Sequence, residues 1–264
     1  MITRSALEGL YKRYNRRKLV HPDPLEFLYH YPDVRDREIV GLIASSLAYG
    51  RVAQILKSVS NVLERMHPTP FEYLKKTQNN IIRSNFSGFR HRFTTGTDKA
   101  DLLIGIKHVI KKHGSLKNCF VAGFKNSDAN IVPALSKFVA EVNKCAGVKK
   151  LALLPPPELG SACKRLNLFL RWMVRKDAVD PGGWRGLPTS KLVIPLDTHM
   201  YKISMTFGFT KRRQANLKTA LEITKRFAQF SAKDPTRYDF ALTRFGIRDD
   251  MKMGDLTNWI KRYI

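Results

Sequence analysis

The segment Ile194-Pro195-Leu196-Asp197-Thr198-His199 joins a short apolar approach, Leu192 to Leu196, to an amphipathic run that begins at Asp197. A carboxylate at such a junction accepts N–H bonds from the first turn of the helix it opens, and the positive end of the helix dipole favours its ionised form. Asp197 thus reads as an ordinary N-cap, and equally as a carboxylate held ionised in one direction. Working outward, the pattern stays helical. Downstream, helices are expected at about 197–207, 216–230, 235–245 and 254–262.

Upstream, a loop rich in glycine and proline runs from Asp180-Pro181-Gly182-Gly183-Trp184 to Pro188. Before it, Gly160 or Ser161 is expected to open a helix reaching about Lys176, with Leu166, Phe169, Leu170 and Met173 on its buried stripe. Lys149-Lys150 and Pro155-Pro156-Pro157 mark a boundary. Earlier amphipathic stretches fall at about 98–113, 116–124 and 128–145, the last two divided by Asn126-Ser127, which reads as an N-cap. A first helix spans about 5–17, followed by His21-Pro22-Asp23-Pro24 and a turn over 25–30.

Asp36 opens a longer element with Ile39, Leu42, Ile43 and Leu47 on one face, which breaks at Tyr49-Gly50-Arg51 and resumes with Val52, Ile55, Val59, Val62 and Leu63. Two helices meet at Gly50. Runs of alternating β-forming residues are scarce, so the fold class is all-α. The chain has no internal repeat and no low-complexity tail.

Composition narrows the partner. The chain of 264 residues holds 47 Lys and Arg against 22 Asp and Glu, a net +25 spread through the folded pattern rather than gathered in a tail. Such an excess repels itself, and a polyanion explains its presence; nucleic acid is the leading candidate, because phosphate contacts release counterions. Three cysteines, Cys119, Cys145 and Cys163, match neither a disulfide framework nor a two-pair zinc site. The first residues lead into a charged amphipathic stretch and no window approaches a membrane span, so a cytoplasmic protein without membrane association is expected.

The run Pro195-Leu196-Asp197-Thr198-His199-Met200, followed by Ile203 and Gly208, resembles the Asp-containing signature of the helix-hairpin-helix DNA glycosylase superfamily. That resemblance implies two helical lobes flanking a DNA-binding cleft, in one unit over 1–264 with its motifs on helices within 36–66 and 160–208. It implies that Asp197 stabilises the positive charge developing on the sugar as the N-glycosidic bond breaks, and that His199 lies near a DNA phosphate. On residue type alone His199 reads as a helix surface residue. No cysteine follows Cys163, so the iron–sulfur cluster that several members carry near the C-terminus is not expected, and neither is any other cofactor or metal.

A second resemblance lies in Ile43-Ala44-Ser45-Ser46 and Val52-Ala53-Gln54-Ile55, on either side of Leu47-Ala48-Tyr49-Gly50-Arg51. Eukaryotic 8-oxoguanine glycosylases look similar here, which places Tyr49, Gly50, Arg51 and Gln54 at the DNA, with Tyr49 standing where an asparagine would fall. A tyrosine there reads as a stacking wedge or as a residue packing a helix joint.

Strand cleavage needs an amine that attacks C1′ and holds the sugar as a Schiff base. Most superfamily members place this lysine in the hairpin shortly before the Asp, where Lys176 stands, but Arg175-Lys176-Asp177 lacks the Gly-x-Gly hairpin. Archaeal 8-oxoguanine glycosylases place it further upstream near a helix start, and Lys164, after Gly160-Ser161-Ala162-Cys163, fits that plan. Lys164 is favoured over Lys176. Arg165 beside it is a cation that favours the neutral amine and can meet a phosphate. Trp184 and Asp180 are further candidates for stacking on and orienting a base, though a tryptophan sealing a loop and an Asp-Pro-Gly turn are their commoner roles.

The stretch from Gly160 to Gly246, with Val179-Asp180-Pro181-Gly182, Trp184 and Tyr238-Asp239-Phe240-Ala241-Leu242, also resembles the bacterial DUF2400 family, and Ala48-Tyr49-Gly50-Arg51 extends the likeness to most of the chain. The expected protein is a monomeric base-excision glycosylase acting on damaged double-stranded DNA, with 8-oxoguanine as first substrate and an associated lyase step. The alternatives are a monofunctional glycosylase, a DNA-binding protein of the same fold without activity, and an RNA-binding protein.

Overall fold

A computed structural model describes residues 2–262. Helix α1 (Arg4–Tyr14) is capped by Thr3, whose hydroxyl accepts from Ala6 N–H. Short 3-10 turns over Arg17–Leu19 and Pro24–His30 lead into α2 (Val34–Ser46). Asp33 caps α2, three residues before the start expected at Asp36; the Asp36 carboxylate instead accepts from Phe71 N–H at 2.8 Å. From Glu38 to Ser46 every residue of α2 is buried, because neighbours cover it on all sides. That makes α2 the axis of the molecule.

The break after α2 falls where Gly50 adopts φ 95, and α3 (Val52–Leu63) resumes behind it. Two helices then appear that no expectation covered, α4 (Pro70–Lys76) and α5 (Asn79–Phe86). Pro70 sits in the first turn of α4, where a missing N–H costs nothing. A two-stranded hairpin follows, β1 (Arg90–His91) paired with β2 (Thr94–Thr95). The class is therefore helical with one small hairpin among the described residues.

Helices α6 (Gly96–His113), α7 (Leu116–Gly123) and α8 (Val132–Ala146) pack on one another, and α6 also packs on α5. Helix α8 starts later than Asn126-Ser127 implied, because Asn130 Oδ1 takes the Val132 N–H at 3.0 Å. Helix α9 (Lys164–Val174) also starts late. A 3-10 turn over Pro157–Leu159, Gly160 at φ 77 and Cys163 at φ 50 delay it, so Lys164 is its first residue. Helices α10 (Thr198–Thr206), α11 (Leu217–Phe230), α12 (Asp239–Ile247) and α13 (Met253–Lys261) complete the chain.

Helices α4 to α8 form one group; α12 with α1, α10 and α13 forms another. Helix α2 touches the first group through α4 and α7 and also packs along α9, and one apolar core runs through the whole. None of the described helices is long and apolar enough to cross a membrane.

Candidate active site

Two helix N-termini converge beside the α2–α3 break. Asp197 is the N-cap of α10: its Oδ1 accepts Met200 N–H at 2.8 Å, which leaves Oδ2 free to face outward from the helix. The buried run Leu192 to Leu196 anchors the chain immediately before it. Lys164, opening α9, brings Nζ to 3.8 Å from Asp197 Oδ2 and donates to Ala48 O at 3.3 Å. The lysine side chain is 34 % exposed and the carboxylate 14 %, so the carboxylate is the more enclosed of the two.

A cavity of about 600 Å³ opens onto this pair. Its lining includes Lys164, Asp197, His199, Tyr49, Gly50 and Arg165, together with Pro155, Ser161, Cys163 and Ala215, which composition and motif did not single out. His199 is seated against Gly246, where an added Cβ would meet Nδ1 at 2.2 Å; only glycine lets the ring lie there. The lining mixes apolar walls with a few convergent charged groups, the usual make-up of a small-molecule or base pocket of this size.

Tyr49 walls the cavity rather than projecting from it. Its hydroxyl bonds Thr94 Oγ1 at 2.6 Å and donates to His91 O at 3.0 Å, tying the α2–α3 joint to the hairpin. The Arg165 guanidinium lies 5.2 Å from the Tyr49 ring centroid and donates to Ser46 O at 2.8 Å. The ring is thus held by a cation and by a perpendicular His91, so the packing role is the one observed and the free stacking wedge is not. Arg51 is exposed at the start of α3, and Gln54 faces a separate groove with Lys57, Asn61 and Arg90.

Trp184 and Asp180 correct the sequence reading. Trp184 is 2 % exposed, set against Phe169 and Phe120, and its indole N–H donates to Glu38 Oε2 at 2.9 Å. Asp180 is fully buried between Arg171 and Arg175. Neither lines the cavity; the glycine-rich loop seals the core because its one large ring has a buried acceptor waiting for it. Lys176 is exposed beside Gly182 and is also absent from the lining.

Charges behind the site are strongly coupled. Arg171 bridges Asp180 and Asp239, and Asp239 adjoins Asp197 and Lys164 across a small void. Burial, with the nearby Asp197 charge, raises the Asp239 carboxyl to about 6 against the opposing pull of Arg171. On the other side Lys99 is fully buried with no hydrogen-bond partner for Nζ, and burial followed by the Arg165 charge lowers it to about 7. Burial also lowers Arg165 below its ordinary value. Cys163, in the cavity wall, is pushed up to about 11 by burial, so its thiol is a poor nucleophile. Among the described residues no group of three His, Cys, Asp or Glu is arranged to hold a metal ion.

No curated protein and no solved structure matches the chain. A family model does match, over residues 23–248, a span that contains α2, the Tyr49-Gly50 joint, Lys164, Asp197 and Gly246; the chain belongs to the family described as "Protein of unknown function (DUF2400)".

Proposed function

We propose that this protein is a base-excision DNA glycosylase with an abasic-site lyase step, acting on damaged duplex DNA, with 8-oxoguanine as the first substrate to test. The observation that carries this reading is the meeting of Lys164 Nζ and Asp197 Oδ2, 3.8 Å apart, in the lining of a cavity of about 600 Å³. An amine, a fixed carboxylate and a base-sized pocket are the parts such chemistry requires. The +25 charge suits a polyanionic partner.

In this reading the target nucleotide is withdrawn from the duplex into the cavity, at a cost least for damaged or mismatched bases. Lys164 passes one proton to Asp197, and its free electron pair forms the C1′–Nζ bond. The C1′–N9 bond breaks; the base leaves with that electron pair and takes up the proton from Asp197. Transfer of a second proton from Nζ to O4′ opens the sugar and leaves the protonated Schiff base. Asp197, ionised again, opposes the positive charge carried through these steps.

Borohydride trapping on duplexes containing 8-oxoguanine or an abasic site tests the proposal. Wild type and Lys176→Gln are expected to form a covalent adduct, and Lys164→Gln to form none. Base release without any adduct identifies a monofunctional enzyme in which Asp197 activates water. Neither release nor adduct over a panel of lesions removes the enzymatic reading, and tighter binding to structured RNA than to lesion duplex at matched salt removes the DNA reading too.

A further inference from the structure

The hairpin presents Phe93, at 85 % exposure the most exposed large apolar side chain among the described residues. Phe93 and Arg92 form the turn between β1 and β2, and Arg92 holds φ 52, in the left-handed region that costs a side chain of this size. An exposed ring on a strained turn is disfavoured twice in the free protein, and such strain persists where the surroundings hold it in place.

The surroundings do hold it. His91 is fully buried, with Nδ1 2.8 Å from Ser58 Oγ and Nε2 3.1 Å from Tyr49 O. Tyr49 returns its hydroxyl to Thr94, and Arg92 packs so closely on Gly50 that an added Cβ would stand 2.8 Å from its Cδ. The turn is thus clamped to the joint that walls the candidate active site. Phe93 borders a second cavity of about 300 Å³, and Tyr49 and Arg165 line both cavities, as a partition between Phe93 on one side and Lys164 with Asp197 on the other. Exposed Arg90 and Arg92 flank the ring.

We propose that Phe93 is the wedge that enters the base stack of duplex DNA when the target nucleotide moves into the cavity, with Arg90 and Arg92 meeting the adjoining phosphates. The inference rests on the duplex-DNA reading above. A flat apolar ring fills the gap left by an extruded base, and cations beside it offset the phosphate charge. A base in the first cavity and a ring in the stack would lie on opposite faces of the Tyr49–Arg165 partition, as extrusion requires. The wedge role weighed for Tyr49 falls instead to a side chain with no hydrogen bond to surrender.

The test uses a duplex with a tetrahydrofuran abasic analogue opposite 2-aminopurine, whose fluorescence rises when it loses its stack. Wild type is expected to raise the signal at saturation. Phe93→Ala, compared at the same bound fraction by anisotropy, is expected to lose most of the rise and to bind about tenfold more weakly, and Phe93→Trp to restore both. Such exposure leaves the fold of the Ala variant intact, which its melting temperature checks. A rise undiminished in Phe93→Ala, or no rise with wild type, overturns the wedge. A Phe93-dependent rise in a wild-type protein that neither releases base nor traps on borohydride upholds the wedge and removes the glycosylase reading.

Discussion

Replacing Asp197 with Asn and with Ala separates its two roles. Asn keeps an oxygen for the Met200 N–H, bonded at 2.8 Å in the wild type, and Asn and Asp are nearly equal as N-caps. The charge is what Asn loses. Its interaction with the N-terminus of α10 contributes about 0.3–1 kcal/mol. Its pairing with a lysine one-third exposed at 3.8 Å adds about 0–1 kcal/mol after solvent screening. Asp197→Asn is therefore expected to cost about 1 kcal/mol and to lower Tm by about 2–4 °C. Ala removes the cap as well, a further cost of about 0.5–2 kcal/mol. Catalysis moves on a larger scale: a fixed group aimed at transition-state charge supplies about 3–4 kcal/mol, so both variants are expected to lose about a hundred- to a thousandfold in single-turnover base release. Melting curves and single-turnover excision from an 8-oxoguanine duplex read the two scales separately. Excision by Asp197→Asn within about threefold of wild type would refute the catalytic assignment and leave Asp197 a helix cap.

Two further perturbations probe buried charge around the site. Lys99 sits near 7 against an ordinary value of 10.5, so the unfolded chain binds the extra proton between those values and wild-type stability rises as pH climbs from about 7 towards 10. Lys99→Met is expected to stabilise the fold by on the order of a few kcal/mol at pH 7, with a gain that shrinks towards pH 10; urea unfolding at several pH values checks it, and a Met variant less stable than wild type at pH 7 contradicts it. Arg171→Met strands Asp239 as a buried carboxylate without its cation, while Asp180 keeps Arg175, at a cost of about 3–5 kcal/mol. A fall in Tm of about 10 °C or more is expected by calorimetry, and a change of under about 3 °C would contradict the dependence of Asp239 on Arg171.

The legible parts of the sequence were those whose cause is local. Asp197 as a cap, the joint at Gly50 and the stripe Leu166, Phe169, Leu170 and Met173 follow from dihedral freedom, capping and periodicity, and all three are present. Where partners come from distant segments, local reasoning stops short. Trp184 lies in a loop that looked open, yet its acceptor is Glu38 on α2; Asp180 looked like a turn residue, yet Arg171 and Arg175 enclose it. Tyr49 was placed correctly at the joint, but its hydroxyl partners lie on a hairpin too short for any alternation to announce. The bare sequence Arg90-His91-Arg92-Phe93 held one usable signal, an aromatic residue set among cations.

The start of α9 bears on how the proposed reaction would begin. Lys164 occupies the N-terminal end of its helix, where the dipole disfavours a cation, whereas Asp197 occupies the same end of α10, where the dipole favours an anion. The ammonium is therefore held mainly by Asp197 Oδ2 and by the Ala48 carbonyl. In the proposed reaction that carboxylate serves in turn: it takes the Lys164 proton, gives it to the departing base and, ionised again, faces the positive charge. Under the proposal, carboxylate and amine on separate helices would link activation of the nucleophile to departure of the base through one shared proton; Lys176, exposed beyond the far end of α9, stands outside that pair.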